Sequence, residues 1–201
     1  MKISLISGSH RKNSQSTKVT SFVQGILEKK HGIKTQTFDL GEKPLPVWEP
    51  GMWQKDSEIK QFWKTYSNGL TESDGFIFFS PEYSGMASPA LKNFFLFISG
   101  ADFAHKPGLL FSISSGRGGA YPISELRSSS YKNTRIVYVP DHVIVRNVEK
   151  VLNDVNAIDE DDTMIRERIE YSLAVFLEYS KALQTVRSSG TINLQKFGNG
   201  M

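Results

Sequence analysis

The sequence predicts a three-layer α/β sandwich built on a five-stranded parallel sheet, and three observations carry that expectation. Short apolar runs alternate with stretches whose apolar residues recur at helical spacing, five of each, a pattern that builds a parallel sheet covered on both faces. The run Phe76-Ile77-Phe78-Phe79 is apolar without interruption, as a strand buried on both faces requires. Polar segments rich in Gly and Ser follow the first, third and fourth runs, where a doubly wound fold gathers the loops that bind ligands.

Residues 2–7 form the first strand, which stops at Gly8, a residue free of the steric limits that a Cβ imposes. Val19, Phe22, Val23, Ile26 and Leu27 then mark a helix that starts near Ser14 and runs out near Gly32. Residues 33–40 read as strand two. Residues 41–56 form a loop in which Pro44, Pro46 and Pro50 are interleaved with Trp48 and Trp53. A loop this long is usually a lid, a binding surface or a segment ordered by a partner, so it is expected to bear on the choice of a second substrate. Ile59, Phe62, Trp63, Tyr66 and Leu70 mark the second helix, and residues 76–79 the third strand. Leu91, Phe94, Phe95 and Ile98 lie on a third helix that Ser88 is placed to cap, with Pro89 in its first turn. Residues 109–113 are strand four, followed by Ser114-Ser115-Gly116-Arg117-Gly118-Gly119 and a short helix through Leu126; residues 135–139 are strand five. Asp159, Glu160, Asp161 and Asp162 precede the last helix, where acids meet the positive end of the helix dipole, a simpler account of them than a metal site.

Right-handed crossovers leave few topologies for such a chain, and the flavodoxin-like order 2-1-3-4-5 leads them. Strands one and three are then neighbours whose loops diverge, which opens a crevice at their C-terminal ends. Residues 1–185 are expected to form one domain and 186–201 a flexible tail.

Composition narrows the chemistry. The 201 residues include no cysteine, so thiolate nucleophiles and thiolate metal sites are excluded and redox chemistry needs a borrowed cofactor. A net charge of +3, from 24 Lys and Arg against 21 Asp and Glu, is spread along the chain, and no nucleic-acid partner is expected. The apolar runs fall far short of the roughly 20 residues of a membrane span, and Met1 leads straight into a strand, so a cytoplasmic protein with no membrane partner is expected. His10, His31, His105 and His142 are scattered, and no metal site is expected.

The loop after strand one, residues 8–17, brings hydroxyls, backbone N–H groups, Arg11 and a helix N-terminus together, the donor set that a phosphate monoester needs. A plain polar turn with a Ser cap is the alternative. The loop has neither the Gly-Lys-Ser/Thr ending of a Walker loop nor a Gly-x-Gly-x-x-Gly pattern. After strand three, Tyr83 offers a ring face and Ser84-Gly85 offers backbone at close range. With the glycine-rich loop after strand four, these segments suit a ligand that has a phosphate at one end and a flat ring at the other.

Gly8-Ser9-x-Arg11-x-x-Ser14, Pro81-Glu82-Tyr83-Ser84-Gly85 with Pro89-x-Leu91-Lys92-Asn93, and Ser115-Gly116-x-Gly118-Gly119 with Leu126-Arg127 resemble the NADPH-dependent FMN reductase family of flavodoxin-like proteins over residues 1–145. The resemblance implies bound FMN, its phosphate held by Ser9, Arg11, Ser14 and Ser16 with Thr17 adjoining. It implies a ring lined by Pro81, Glu82, Tyr83 and Ser84 and by Ser115, Gly116, Arg117 and Gly119. NAD(P)H would be the electron donor, a quinone, flavin, azo compound or metal oxyanion the small-molecule acceptor, and the assembly a homodimer or homotetramer. Hydride transfer in and electron transfer out would alternate in a ping-pong cycle, with N–H groups of residues 115–119 stabilising the charge of the reduced ring. Glu82 is the one ionisable residue that invites a catalytic role. The family commonly has Asn in place of Ser84 and Asn-Arg in place of Ser16-Thr17. An electron carrier without its own NAD(P)H oxidase activity is the alternative; a hydrolase is disfavoured because no Gly-x-Ser-x-Gly elbow occurs.

Overall fold

The computed structural model describes residues 1–198 and 200. Its elements are β1 (Lys2–Ser7), α1 (Gln15–Lys29), β2 (Lys34–Asp39), α2 (Glu58–Tyr66), β3 (Gly75–Tyr83), β4 (Met86–Ala87), α3 (Pro89–Phe97), α4 (Gly100–Phe103), β5 (Pro107–Ile113), α5 (Ala120–Ser129), β6 (Val137–Val145) and α6 (Glu160–Ser188). The sheet order is β2-β1-β3-β5-β6, all parallel, with β4 folded back antiparallel on the end of β3. With β5 and β6 as the fourth and fifth parallel strands, this is the expected order.

Strand alternation sends successive side chains to opposite faces, so each strand feeds two cores. Ile3, Leu5, Ile77, Phe79, Leu109 and Phe111 pack under α1 and α6 against Val19, Val23, Leu27, Leu173 and Phe176. Ile6, Phe76, Phe78 and Leu110 pack on the other face against Trp63, Leu91, Phe94 and Leu126 of α2, α3 and α5. Phe76, Phe78, Phe79 and Phe111 are fully buried, and truncating any one to Ala would cost about 3–5 kcal/mol. The polar Ser4 in this interior is satisfied by Ser73, 2.6 Å away.

Several elements differ from the expectation, each for a physical reason. β3 runs on to Tyr83 because Pro81, Glu82 and Tyr83 stay extended, and β4 pairs with Glu82 and Tyr83. β6 spans Val137–Val145 and passes through Pro140. The Gly108–Tyr138 and Leu110–His142 pairings leave extra residues on β6, a bulge at the sheet edge where a missing N–H costs no ladder bond. Ser88 is at the N-cap of α3, yet its hydroxyl does not cap; it donates to the Gly8 carbonyl, and its N–H donates to Ser80 Oγ at 3.2 Å. The short helix α4 and a 3-10 turn at Pro50–Trp53 were not expected. Helix α6 ends at Ser188, three residues past the expected boundary, and Arg187 ties its last turn to the His105 carbonyl and Asp74.

Two members of the acidic run hold the chain ahead of α6. Asp159 is the N-cap and accepts the Asp162 N–H at 2.8 Å. Asp162 is buried and accepts from the Leu152 and Ile158 N–H groups and from Arg166 Nε. Burial pushes its carboxyl up, but the Arg166 and Leu152 bonds more than reverse this and hold it below the usual carboxylate range. Among the described residues no helix is long and apolar enough to cross a membrane.

Candidate active site

Three chain segments meet at the C-terminal ends of β1, β3 and β5. The turn after β1 is forced into close contact with β3: the Gly8 N–H donates to the Phe79 carbonyl at 2.8 Å, and a Cβ on Gly8 would stand 2.7 Å from that oxygen. Only glycine fits there without displacing backbone. The Ser9 hydroxyl then lies 2.9 Å from the Tyr83 hydroxyl and accepts the Arg11 N–H at 3.0 Å, so the turn after β1 touches the end of β3 directly. The His10 ring packs 5.0 Å from the Tyr83 ring.

Ser14 caps α1 by accepting the Thr17 N–H at 3.1 Å. The N–H groups of Gln15 and Ser16, in the first turn, have no intrahelical acceptor and lie at the positive end of the helix. The Ser16 hydroxyl is buried with no hydrogen-bond partner among the described residues, and so is Gln15 Oε1, an amide that can rotate to present donors instead. These groups line a cleft of about 150 Å³ together with Ser9, Arg11, Asn13, Ser14, Pro81, Glu82, Tyr83, Ile113, Ser115, Val148 and Glu149. Glu82 and the exposed Glu149 are the only carboxylates in the lining.

Eight of the thirteen site residues expected from sequence line this cleft: Ser9, Arg11, Ser14, Ser16, Pro81, Glu82, Tyr83 and Ser115. Thr17 does not; its hydroxyl donates to Asp39 Oδ2 at 2.7 Å and lies 3.0 Å from Ser14 Oγ, so it braces the loop against β2. Ser84 lies in the β3–β4 turn with positive φ (50°), beside Gly85 at 74°. Gly116 and Gly119 do not line the cleft, and their N–H groups are occupied by Ser114 Oγ and Glu82 Oε2. The N–H groups of this loop that have no acceptor among the described residues are those of Ser115, Arg117 and Gly118. Arg117 opens into a neighbouring groove.

The Glu82 contact has a clear job. Its Oε2 accepts the Gly119 N–H at 2.8 Å, and a Cβ on Gly118 would overlap that oxygen, so the carboxylate clamps the glycine-rich loop at the start of α5. Asn13, Gln15, Ile113, Val148 and Glu149 were not singled out from sequence. The first two lie within the loop already read as phosphate-binding, whereas Val148 and Glu149 follow β6 and carry no local signal.

The tryptophan loop is elsewhere. Asn93 holds it by accepting the Trp48 N–H at 2.9 Å and donating to the Pro46 carbonyl at 2.8 Å. Trp48 and Trp53 meet edge to face, 5.1 Å apart, over a groove between α2 and α3 that shares no residue with the cleft.

Residues 1–150 match the family described as NADPH-dependent FMN reductase. The chain belongs to that family. An NADPH azoreductase of Bacillus sp. strain OY1-2 is 28% identical over 130 residues, 64% of this chain and 68% of that protein. An FMN-dependent NADPH-azoreductase of Staphylococcus saprophyticus is 31% identical over 128 residues, 63% of this chain and 68% of that one. The solved NAD(P)H:(acceptor) oxidoreductase of Paracoccus denitrificans shares the fold, with a TM-score of 0.70 over 90% of this chain and 97% of that one at 19% identity. As a member, this FMN reductase is an NAD(P)H-dependent oxidoreductase whose cofactor is FMN, and the family's acceptors are small molecules.

Proposed function

We propose that this FMN reductase passes two electrons from NAD(P)H, by way of FMN seated in the cleft, to a small oxidised acceptor such as a quinone, flavin, azo compound or metal oxyanion, in two alternating half-reactions. One observation carries the placement of the cofactor: a buried hydroxyl without a partner, two open helix N–H groups and Arg11 converge on one side of a cleft that Tyr83 closes on the other. When bound, FMN supplies the two-electron chemistry, since its ring takes up a hydride and passes the electrons on.

The chain's own residues then have distinct tasks. Ser16, Ser14, the first N–H groups of α1 and Arg11 hold the phosphate, donors matched to an anion. The enclosed volume of about 150 Å³ is small against the roughly 300–1,000 Å³ of pockets that engulf a ligand, so the phosphate end is enclosed and the ring lies on open surface between residues 81–84 and 115–119. An exposed ring face suits the exchange of nicotinamide for acceptor. The unengaged N–H groups of Ser115, Arg117 and Gly118 supply positive potential where reduction adds charge. Glu82 is a positioning residue that keeps this loop in place.

Self-association into a homodimer or homotetramer belongs to the same proposal. Val47, Trp53 and Leu96 are 83%, 76% and 61% exposed beside the α2–α3 groove, an apolar surface of the kind partners cover. Equilibrium sedimentation decides it.

The principal test is direct. The purified protein should carry FMN or bind it when added, and NAD(P)H oxidation with a quinone should give parallel double-reciprocal lines. Arg11→Ala should weaken FMN binding by about 1.5–3 kcal/mol, the value of a hydrogen bond to a charged group. Failure to bind FMN refutes the site; FMN binding without NAD(P)H oxidation establishes the electron carrier instead.

A further inference from the structure

We propose that the groove on the outer side of the glycine-rich loop takes the adenosine end of NADPH, with Arg117, Arg146 and Lys150 reading its 2′-phosphate. The proposal rests on the reading of the chain as a nicotinamide-dependent reductase and adds to it where the far end of the donor is held.

The groove measures about 740 Å³ and forms where the glycine-rich loop, the end of β6, the segment after it and the first turns of α6 come together. Its floor is apolar, made by Ile144, Val151, Ile165 and Met164, and Met164 is 62% exposed there, a large apolar side chain with nothing over it. Its rim is cationic. Arg146 spends only Nε, on the Arg117 and Gly118 carbonyls at 2.8 and 3.0 Å. Its two terminal nitrogens, the Arg117 guanidinium and the Lys150 ammonium donate to no acceptor among the described residues. Arg168 completes the rim but is engaged by Asp141 at 2.8 Å.

Asp159 and Asp161 also line the groove, yet neither forms an ion pair with these cations, and Asp159 is occupied as the cap of α6. Three like charges lining one groove, none of them in an ion pair among the described residues, outnumber the two aspartates there and favour an anion between them. A guanidinium fork matches phosphate oxygens two at a time, and an arginine beside a dinucleotide site is the usual means of accepting a 2′-phosphate. An apolar floor under a cationic rim is complementary to a flat base carrying phosphates.

Position supplies the remaining argument. Ser115 lines the flavin cleft and Arg117, two residues on, lines the groove; Val148 and Glu149 line the cleft, while Asn147, Lys150 and Val151 line the groove. The two depressions are therefore opposite sides of the same pair of segments, pinned together by the Asn147 N–H on the Gly116 carbonyl at 2.9 Å. A donor whose nicotinamide lies on the ring has its other end free to cross this ridge. The α2–α3 groove has no such continuity with the cleft.

The test uses the purified protein with its flavin as isolated, and calorimetric titration with 2′,5′-ADP and with 5′-AMP. The wild type should bind 2′,5′-ADP about tenfold or more tightly than 5′-AMP, as a charge-matched phosphate site predicts, and Lys150→Glu, a change at an exposed position, should remove at least fivefold of that preference. The same substitution should raise the KM for NADPH and leave that for NADH within twofold. Equal binding of the two nucleotides, or a Lys150→Glu preference reduced by less than fivefold, overturns the proposal. Flavin content is read separately: a protein that fails to hold FMN but prefers 2′,5′-ADP refutes the cleft assignment and not this one.

Discussion

Ser16→Ala separates a ligand-binding hydroxyl from a structural one, because the two roles predict opposite signs. The Ser16 Oγ is buried and unpartnered, and burying a hydroxyl without a hydrogen bond costs about 1–3 kcal/mol in proteins. Removing it should therefore leave the flavin-free protein as stable as the wild type or stabilise it by up to about that amount. In the FMN complex as proposed, the same hydroxyl would donate to a phosphate oxygen, a bond to a charged group worth about 1.5–3 kcal/mol, so affinity should fall about 10- to 150-fold. Urea denaturation of the flavin-free protein gives the first number, and quenching of FMN fluorescence gives the second. A variant that loses stability and keeps its FMN affinity would show that the hydroxyl serves the fold, and the phosphate site would have to be placed elsewhere.

Other substitutions test the scaffold around the cleft. Glu82→Gln keeps an oxygen for the Gly119 N–H and should retain most activity, whereas Glu82→Ala should cost about 1–2 kcal/mol of stability and loosen the loop. Loss of NAD(P)H oxidation in Glu82→Gln with FMN still bound would give the carboxylate a chemical role instead. Asp162→Ala leaves Arg166 Nε and two backbone N–H groups without their acceptor, and chemical denaturation should register about 3–5 kcal/mol. Because the folded carboxyl lies below its ordinary value, its contribution is full at neutral pH and is lost as pH falls through that lower value. Lys106 runs the other way. Burial, reinforced by Arg187, pulls its ammonium down to about 8 against the opposing pull of Asp102 and Asp74, so the folded state releases its proton first. Stability should rise between about pH 8 and 10 in wild type and rise less steeply in Lys106→Met, where Lys18, also lowered by burial, still contributes; above that, Tyr66, pushed up to about 12 by burial, and Tyr138, likewise pushed up by burial, reverse the trend. An identical pH profile in both proteins would remove Lys106 from the account.

What the sequence makes legible here follows from what is local. The uninterrupted Phe76-Ile77-Phe78-Phe79 run and the helical spacing of Val19, Val23 and Leu27 report burial directly, so the layers and the strand order could be read. The Ser-rich turn after β1 was legible because its donors are contiguous. Thr17 looked like one of them, but its partner is Asp39, at the end of another strand, and nothing local announces that. Arg117 and Ser115 are two residues apart and face different depressions, a distinction that a loop with no fixed periodicity conceals. Pro140 ends a strand by ordinary rules, and only its place in a bulge at the sheet edge lets β6 continue. The tryptophan loop read as a substrate-selecting surface because of its length and rings, whereas Asn93 fastens it over a groove apart from the cleft.

The Ser88 hydroxyl on the Gly8 carbonyl, with Ser80 behind it, makes the turn after β1, the proposed phosphate cradle, and the start of α3 one mechanical part. A cradle fixed in this way is set before its guest arrives, so little binding energy is spent on ordering it. Flavin uptake should therefore resemble a key entering a cut lock, with a rate governed by encounter rather than by rearrangement.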